Sequence, residues 1–226
     1  MINCDTKDTE STPDKNGGDL VKKSEITKSI NKSREAVFFV YICSLDMMKP
    51  KIILDSKHFE ITVTRLCYQL IEVHNDFSNT VIIGLQPRGI FLAKRIQKKL
   101  QEILKKKDIK CGSLDITFYR DDFRKKELVP NRTEIDFIIE DKNVIMVDDV
   151  LFTGRTIRAG LDAMLAFGRP NDVELLVLID RRLSRHLPIQ AKYIGKTIDS
   201  IASERVVVEW SETDGKDKVT LLTNEN

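Results

Sequence analysis

Hydrophobic and polar residues follow two different periodicities along the chain, and together they predict an α/β fold. Apolar residues dominate 80–85 and fill 144–147, which is typical of parallel strands that are covered on both faces. From Phe59 to Val73 an apolar residue instead recurs every three or four positions, which predicts an amphipathic helix. We therefore expect a mainly parallel central sheet with flanking helices.

The same patterns predict the remaining elements. One helix is expected at 90–104, and another begins near Thr156 and ends at Gly168, a natural C-terminal stop. Further strands are predicted at 113–119 and 172–179. A small hood over the sheet is expected from 187–196, 205–210 and 218–222.

The composition limits the class of protein. With 226 residues, of which 41% are hydrophobic, the chain can bury the core of one domain. A formal net charge of +2 neither requires nor excludes a nucleic-acid partner, because a local basic face matters more than the total. The cysteines and histidines show no paired metal-ligand spacing, so we predict reduced thiols and no zinc site.

The N-terminal segment differs from the rest of the chain. Residues 1–35 are polar and lack apolar periodicity, which predicts disorder. The apolar run 36–43 is too short to span a bilayer and too far from the N-terminus for a signal peptide, so we expect a cytoplasmic protein. We assign 49–226 to the folded domain. We expect residues 1–48 to be a disordered or non-native extension, either a genuine tail or a stretch upstream of a true start at Met47 or Met48.

The strand at 144–147 leads into two acidic residues and then a loop rich in hydrogen-bond donors. Asp148 and Asp149 stand at its carboxyl end, where open α/β sheets bind ligands. The loop 153–156 supplies hydroxyls, a glycine and N–H groups at the start of a helix, which favours a phosphate group. Two carboxylates beside such a loop indicate metal coordination or hydrogen bonding to a vicinal diol. A ribose 5-phosphate satisfies both features.

A P-loop for nucleoside triphosphates is not indicated. The segment 195–197 reads Gly-Lys-Thr, as at the end of such a loop. Gln190 stands where the first glycine of the loop is required, so the spacing fails.

Three more segments carry charges that suit anions. The turn 86–89 joins a strand to a helix and contains Arg88 and Gly89, which suggests a second anion site. The segment 120–140 mixes acidic and basic residues and indicates an extended mobile arm. Basic residues also cluster at 181–186, a pattern that suits RNA phosphates.

These motifs resemble the PyrR branch of the type I phosphoribosyltransferases. The acidic pair and its loop resemble the phosphoribosyl-pyrophosphate (PRPP) motif of that superfamily. Between about Lys49 and about Leu222, further similar motifs occur at 84–90, 115–122, 158–160, 168–170 and 187–196. The resemblance implies a type I phosphoribosyltransferase fold. It also implies a bifunctional protein, an RNA-binding attenuator of pyrimidine operons and a uracil phosphoribosyltransferase, which is a glycosyltransferase.

The resemblance implies a role for each site residue in converting PRPP and uracil to UMP and pyrophosphate. Arg88 is expected to hold the pyrophosphate, with the backbone of Pro87 and Gly89. Asp148 and Asp149 are expected to hold the ribose hydroxyls and, with Arg88, are the catalytic candidates. Mg²⁺ is expected to bind mainly through PRPP, without a dedicated protein metal site, and no general base is identified. Further candidates for PRPP or UMP binding are Arg120, Val150, Leu151, Phe152, Thr153, Gly154, Arg155, Thr156 and Arg181.

The same resemblance implies contacts with a macromolecular partner. Thr64, Arg65, Arg182 and Arg185 are the candidates for binding the leader of a pyrimidine-operon mRNA. The family also forms homodimers or larger homo-oligomers, which we expect for this chain.

The chain departs from the family pattern at particular positions. Gln86 and Pro87 stand where a basic residue and a threonine are usual, which lowers the positive charge of the pyrophosphate turn. Tyr68 replaces a histidine, and 181–186 is one residue longer than usual. Two alternatives stay open: a non-catalytic, nucleotide-sensing RNA-binding attenuator, and a purine phosphoribosyltransferase.

Overall fold

The computed structural model describes residues 50–120 and 130–223, which form two sheets with helices packed around the larger one. The strands are β1 (Lys51–Leu54), β2 (Thr80–Leu85), β3 (Cys111–Leu114), β4 (Asn143–Leu151), β5 (Asp172–Arg181), β6 (Tyr193–Ile198), β7 (Glu204–Glu209) and β8 (Lys218–Thr223). The α-helices are α1 (Ser56–His74), α2 (Gly89–Leu104), α3 (Arg155–Met164) and α4 (Ser211–Asp214), and short 3₁₀ helices form at Thr117–Tyr119 and Leu165–Phe167.

The larger sheet has five parallel strands in the order β3-β2-β4-β5-β6. β4, which carries the acidic pair, is its central strand. Gly84 of β2 pairs with Val147 of β4, immediately before Asp148. The turn that follows β2 and the acidic pair that follows Val147 are therefore neighbours at the carboxyl edge of the sheet.

The two faces of this sheet bury separate cores, because successive strand residues point to opposite faces. On one face Ile145 and Leu176 pack in the same cluster as the apolar residues of α1 and α2. On the other face Met146 and Val177 pack with those of α3. Burial on both faces explains why the strand sequences are continuous apolar runs.

The smaller sheet is antiparallel, in the order β1-β8-β7, and forms the hood. The residue after β7, Trp210, is fully buried. Its ring centroid lies 5.3 Å from that of Phe59 in α1 and 5.8 Å from that of Phe91 in α2. The Arg95 guanidinium lies 5.1 Å from the Trp210 ring and 2.7 Å from the carboxylate of Asp217. These contacts attach the hood to the two helices.

The predicted α/β fold with a mainly parallel sheet is confirmed, but the strand predicted at 113–119 is wrong beyond Leu114. Oδ1 of Asp115 accepts hydrogen bonds from the N–H and the hydroxyl of Thr117, at 3.0 and 2.6 Å. This local turn ends β3 and starts the 3₁₀ helix Thr117–Tyr119.

The predicted composition of the hood also needs correction. Tyr193–Ile198 forms β6, which pairs in parallel with β5 at the edge of the main sheet, so 187–196 is not part of the hood. β1 joins the hood instead, because it pairs with β8. Strands at the edge of the main sheet and strands of the hood have the same kind of apolar pattern. Only the strand pairing shows to which sheet a segment belongs.

Some predictions concern residues that the structure does not describe. Residues 1–48, predicted to be an extension, lie outside the described residues, as does 121–129 of the predicted mobile arm. The domain boundary near residue 49 stays a prediction. Within 50–120 and 130–223, no helix is long and apolar enough to cross a membrane.

Candidate active site

The acidic pair, Asp148 and Asp149, and the predicted phosphate loop, 153–156, lie together where β4 ends and α3 begins. β4 continues through Asp148 and Asp149 to Leu151, four residues beyond the predicted end of the strand. Gly154 precedes α3 with φ of +90°, a conformation that residues with a Cβ rarely adopt. The first turn of a helix leaves N–H groups without partners inside the helix. The loop can therefore present them to an anion.

A cavity of about 360 Å³ lies over this turn. Its walls include most of the residues predicted to bind PRPP or UMP. The predicted residues that do not line it are Pro87, Arg88, Gly89, Asp149 and Arg181. The lining residues are Arg120, Asp148, Val150, Leu151, Phe152, Thr153, Gly154, Arg155, Thr156, Ile157 and His186. The size and the basic lining suit a phosphorylated sugar.

His186 is a lining residue that the sequence analysis did not assign to the phosphosugar site. Its backbone N–H donates a hydrogen bond of 3.0 Å to the carbonyl oxygen of Thr153, which brings the β5–β6 connection onto the phosphate loop. The neighbouring Leu187 also donates to this carbonyl, at 3.2 Å. No local pattern signals such a contact, because the two segments meet only in the folded chain.

Burial decides the electrostatics of the acidic pair. Asp148 is only 6% exposed, and its Oδ1 accepts a hydrogen bond of 3.0 Å from the N–H of Asp149. Burial raises the pKa of the Asp148 carboxyl well above its ordinary value, and the charge of Asp149 raises it further. Burial also raises the pKa of Asp149, although the nearby Arg88 opposes this shift. Burial therefore disfavours the ionised form of both carboxyls, and more strongly that of Asp148.

Arg88 extends from the turn after β2 to the acidic pair and to the hood. Its Nε lies 3.2 Å from Oδ2 of Asp149. One terminal nitrogen donates to the carbonyl oxygen of Val208 in β7 and lies 3.9 Å from Oδ2 of Asp214 in α4. The structure thus brings the predicted pyrophosphate residue and a predicted ribose residue into direct contact.

The backbone of the turn approaches β4 closely. The peptide bond between Gln86 and Pro87 is cis. At Gly89 a Cβ would lie 2.5 Å from the carbonyl oxygen of Val147 and 2.9 Å from Cα of Asp148, so this position requires glycine. The turn therefore lies directly against the acidic pair, as a site for one continuous ligand requires.

Arg181 lies behind the cavity and not among its lining residues. Its guanidinium donates to the Ser200 hydroxyl at 2.7 Å and to the carbonyls of Ile201 and Glu204 at 3.0 and 2.9 Å. It also stacks on the ring of Phe152, 3.9 Å from the centroid. In this arrangement Arg181 supports a wall of the cavity from behind.

Two of the candidates for RNA binding lie on α1. Arg65 is exposed, and one terminal nitrogen donates to the carbonyls of Ile194 and Gly195 at 3.1 and 2.5 Å. Thr64 is half-buried beside it. Arg65 therefore lies along the outer edge of β6.

The other two candidates follow β5 and are paired with acids. Arg182 is exposed and contacts Asp199 through two nitrogens, at 2.9 and 2.7 Å. Arg185 contacts the carboxylate of Asp180 and the carbonyl of Phe152. The basic cluster at 181–186 is therefore divided, because Arg181 and Arg185 point into the protein while Arg182 faces solvent.

Asp148 and Asp149 are the only neighbouring acidic side chains that the motif offers to a metal ion. Among the described residues no group of three or more His, Cys, Asp or Glu side chains could bind one. Mg²⁺ usually keeps several waters and binds through one or two carboxylates plus substrate phosphates. The acidic pair fits that mode of binding.

Comparisons with known proteins agree with this geometry. Residues 50–213 match the model of the phosphoribosyl transferase domain family. The chain is 42% identical over 183 residues to the bifunctional protein PyrR of Bacillus subtilis, covering 79% of this chain and 100% of that protein. It is 46% identical over 181 residues to the bifunctional protein PyrR of Desulfosudis oleivorans, covering 79% and 99%.

Solved structures support the fold. A hypoxanthine phosphoribosyltransferase from Staphylococcus aureus superposes with a TM-score of 0.57 at 20% identity, covering 80% of this chain and 95% of that one. The enzyme of the same name from Trypanosoma cruzi gives a TM-score of 0.57 at 15% identity, covering 79% and 95%. The predicted type I phosphoribosyltransferase fold is confirmed.

Proposed function

This chain belongs to the PyrR family of phosphoribosyltransferases, and from that premise we propose that it transfers the phosphoribosyl group of PRPP to uracil. The products are UMP and pyrophosphate. The observation that carries the proposal is the contact between Arg88 and Asp149, at 3.2 Å, beside the cavity over 153–156. One phosphorylated sugar with a pyrophosphate at its anomeric carbon can engage all three groups.

Each part of the site has a role in this reaction. The N–H groups of 153–156 and the Arg155 side chain bind the 5-phosphate. Asp148 and Asp149 form hydrogen bonds with the two ribose hydroxyls. Arg88 stabilises the pyrophosphate as negative charge develops on it during departure.

We expect Mg²⁺ to arrive with PRPP. When bound, the ion would neutralise charge on the pyrophosphate, and Asp148 and Asp149 are the residues that would hold it. The uracil nitrogen then attacks the anomeric carbon, and no protein residue is assigned as its base.

Product analysis tests the enzymatic proposal. The protein is incubated with PRPP, Mg²⁺ and either uracil, hypoxanthine or guanine, beside an Asp148→Asn, Asp149→Asn double variant. We expect UMP from uracil alone, and no product from the variant. Formation of IMP or GMP instead would establish a purine enzyme, and UMP binding without any turnover would establish a nucleotide sensor.

The relatives are named bifunctional proteins, and we propose the second function here as well: binding of a pyrimidine-gene mRNA leader in response to UMP, by a homo-oligomer in the cytoplasm. Arg65 and Arg182 support this proposal, because both side chains are exposed on the surface of the protein. A filter-binding assay uses the transcribed leader of the pyrimidine biosynthesis genes from the source organism. We expect retention that increases with UMP and falls in Arg65→Glu, whereas retention that is absent or indifferent to UMP contradicts regulation.

A further inference from the structure

The two ends of the candidate site differ in charge. The cavity for the 5-phosphate is lined by Arg120 and Arg155 and lies at the N-terminus of α3, which favours anions. The pyrophosphate turn offers one cationic side chain of its own, Arg88. Among the described residues, a ligand with a single phosphate therefore meets the more basic end, and a pyrophosphate meets the less basic end.

The Gln86 side chain of the turn 86–89 forms hydrogen bonds outside the turn. The Gln86 amide donates to the Ser113 hydroxyl at 3.0 Å and to the carbonyl of Arg132 at 2.6 Å, so it is directed toward β3. Pro87 has no N–H to donate. The turn is therefore left with Arg88 and with the N–H groups of Arg88 and Gly89 as donors to a pyrophosphate.

Arg88 itself lies between two carboxylates from different elements. Asp149 in β4 lies 3.2 Å from its Nε, and Asp214 in α4 lies 3.9 Å from its terminal nitrogen. The Asp214 carboxylate is fixed in place, because it accepts hydrogen bonds of 2.9 Å from the backbone N–H of Trp210 and from the hydroxyl of Thr213. The hydrogen bond from Trp210 lowers the pKa of Asp214, so this carboxylate is ionised at neutral pH.

We propose that Asp214 is a specificity-determining residue, which lowers the affinity of the site for PRPP and pyrophosphate relative to nucleoside monophosphates. A pyrophosphate must draw Arg88 away from Asp214 and then occupy space beside that carboxylate. UMP has no group at this end, so it leaves the contact between Arg88 and Asp214 undisturbed. The inference rests on the proposed function and extends it, because a protein that responds to UMP must bind UMP in the presence of PRPP.

Isothermal titration calorimetry with UMP, PRPP and Mg²⁺-pyrophosphate tests the proposal in the absence of uracil. Asp214→Asn removes the charge but keeps an oxygen that accepts from Trp210 and Thr213. Asp214→Glu keeps the charge. Asp108→Asn is the matched control, because Asp108 is exposed and precedes β3, at the end of the sheet opposite the site.

We expect Asp214→Asn to bind PRPP and pyrophosphate roughly two- to fivefold more tightly, as the removal of a partly exposed charge allows. Its affinity for UMP stays at the wild-type value, and Asp214→Glu and Asp108→Asn resemble the wild type for all three ligands. Unchanged PRPP affinity, or an equal change for UMP, overturns the role of Asp214. A wild-type protein that binds none of the three ligands overturns the proposed function itself, and this inference with it.

Discussion

Nε of Arg88 lies 3.2 Å from Oδ2 of Asp149, although the two residues are 61 positions apart in the chain. The residue predicted to hold pyrophosphate thus neutralises a residue predicted to hold ribose. PRPP must share or replace this ion pair when it binds. A ligand that carries no pyrophosphate can leave the pair in place.

Replacement of Arg88 should therefore separate PRPP from UMP. For Arg88→Gln we expect kcat/KM for UMP synthesis to fall about 100-fold, since one donor to the leaving group is lost. UMP affinity should fall much less. Steady-state kinetics and calorimetry measure the two effects, and equal losses for both ligands would show that Arg88 contributes only to the structure of the site.

The buried Asp148 should lower the free energy of unfolding of the wild-type protein. Because burial raises its pKa, the folded protein disfavours the ionised carboxylate that is normal at neutral pH. We expect Asp148→Asn to raise the free energy of unfolding by about 1 kcal/mol at pH 7, while turnover falls by at least about tenfold. Urea denaturation and the uracil assay measure both quantities.

The pH dependence of this stabilisation has a definite sign. Below the ordinary pKa of 3.8, Asp148 is protonated in the folded and unfolded wild type, so the variant gains nothing there. As the pH rises through 3.8, the unfolded wild type releases the proton first, and the advantage of the variant grows until the raised folded pKa is passed. An advantage that shrinks with rising pH is incompatible with this account.

Arg181 should act on PRPP binding through the wall of the cavity. Its guanidinium holds the backbone of 200–204 and stacks on Phe152. For Arg181→Met we expect the KM for PRPP to rise about tenfold, because Phe152 and the wall of the cavity are misplaced. The exposed neighbour gives a control, Arg182→Met, which should leave the KM for PRPP unchanged, and an equally unchanged KM for Arg181→Met would contradict the supporting role of Arg181.

A buried polar network at the opposite end of the sheet should govern acid stability. The Glu174 carboxylate accepts from His74 at 2.9 Å and from Tyr193 at 2.6 Å, and it pairs with Lys192. Burial opposes ionisation of Glu174, but these hydrogen bonds outweigh it and lower its pKa. We expect Glu174→Gln to lower the free energy of unfolding by about 3 kcal/mol at pH 7.

This loss should depend on pH in the opposite sense to that of Asp148. The stabilisation by Glu174 is fully present above its ordinary pKa of 4.5 and is lost as the pH falls through the lowered folded value. Urea denaturation at several pH values should therefore show the wild type and Glu174→Gln converging in acid. The exposed Glu102→Gln is expected to change the free energy of unfolding by less than about 0.5 kcal/mol at every pH.

Features encoded by neighbouring residues were predictable from the sequence. The apolar run of β4, the acidic pair and the glycine before α3 occupy one short segment, and each follows from local chemistry. The strand predicted at 113–119 was wrong because Asp115 turns the chain through hydrogen bonds to Thr117, a short-range competition that an apolar pattern does not record.

Taken alone, the sequence determined the mainly parallel sheet, the strand that carries the acidic pair and the turn from that strand into α3, since periodicity and turn chemistry act over a few residues. Only the tertiary structure decided that His186 covers the loop, that Asp149 pairs with Arg88, and that Asp214 approaches the same guanidinium. Those contacts join segments that are distant in the chain. Their geometry depends on strand order and on how the hood packs against α1 and α2, which no local pattern contains.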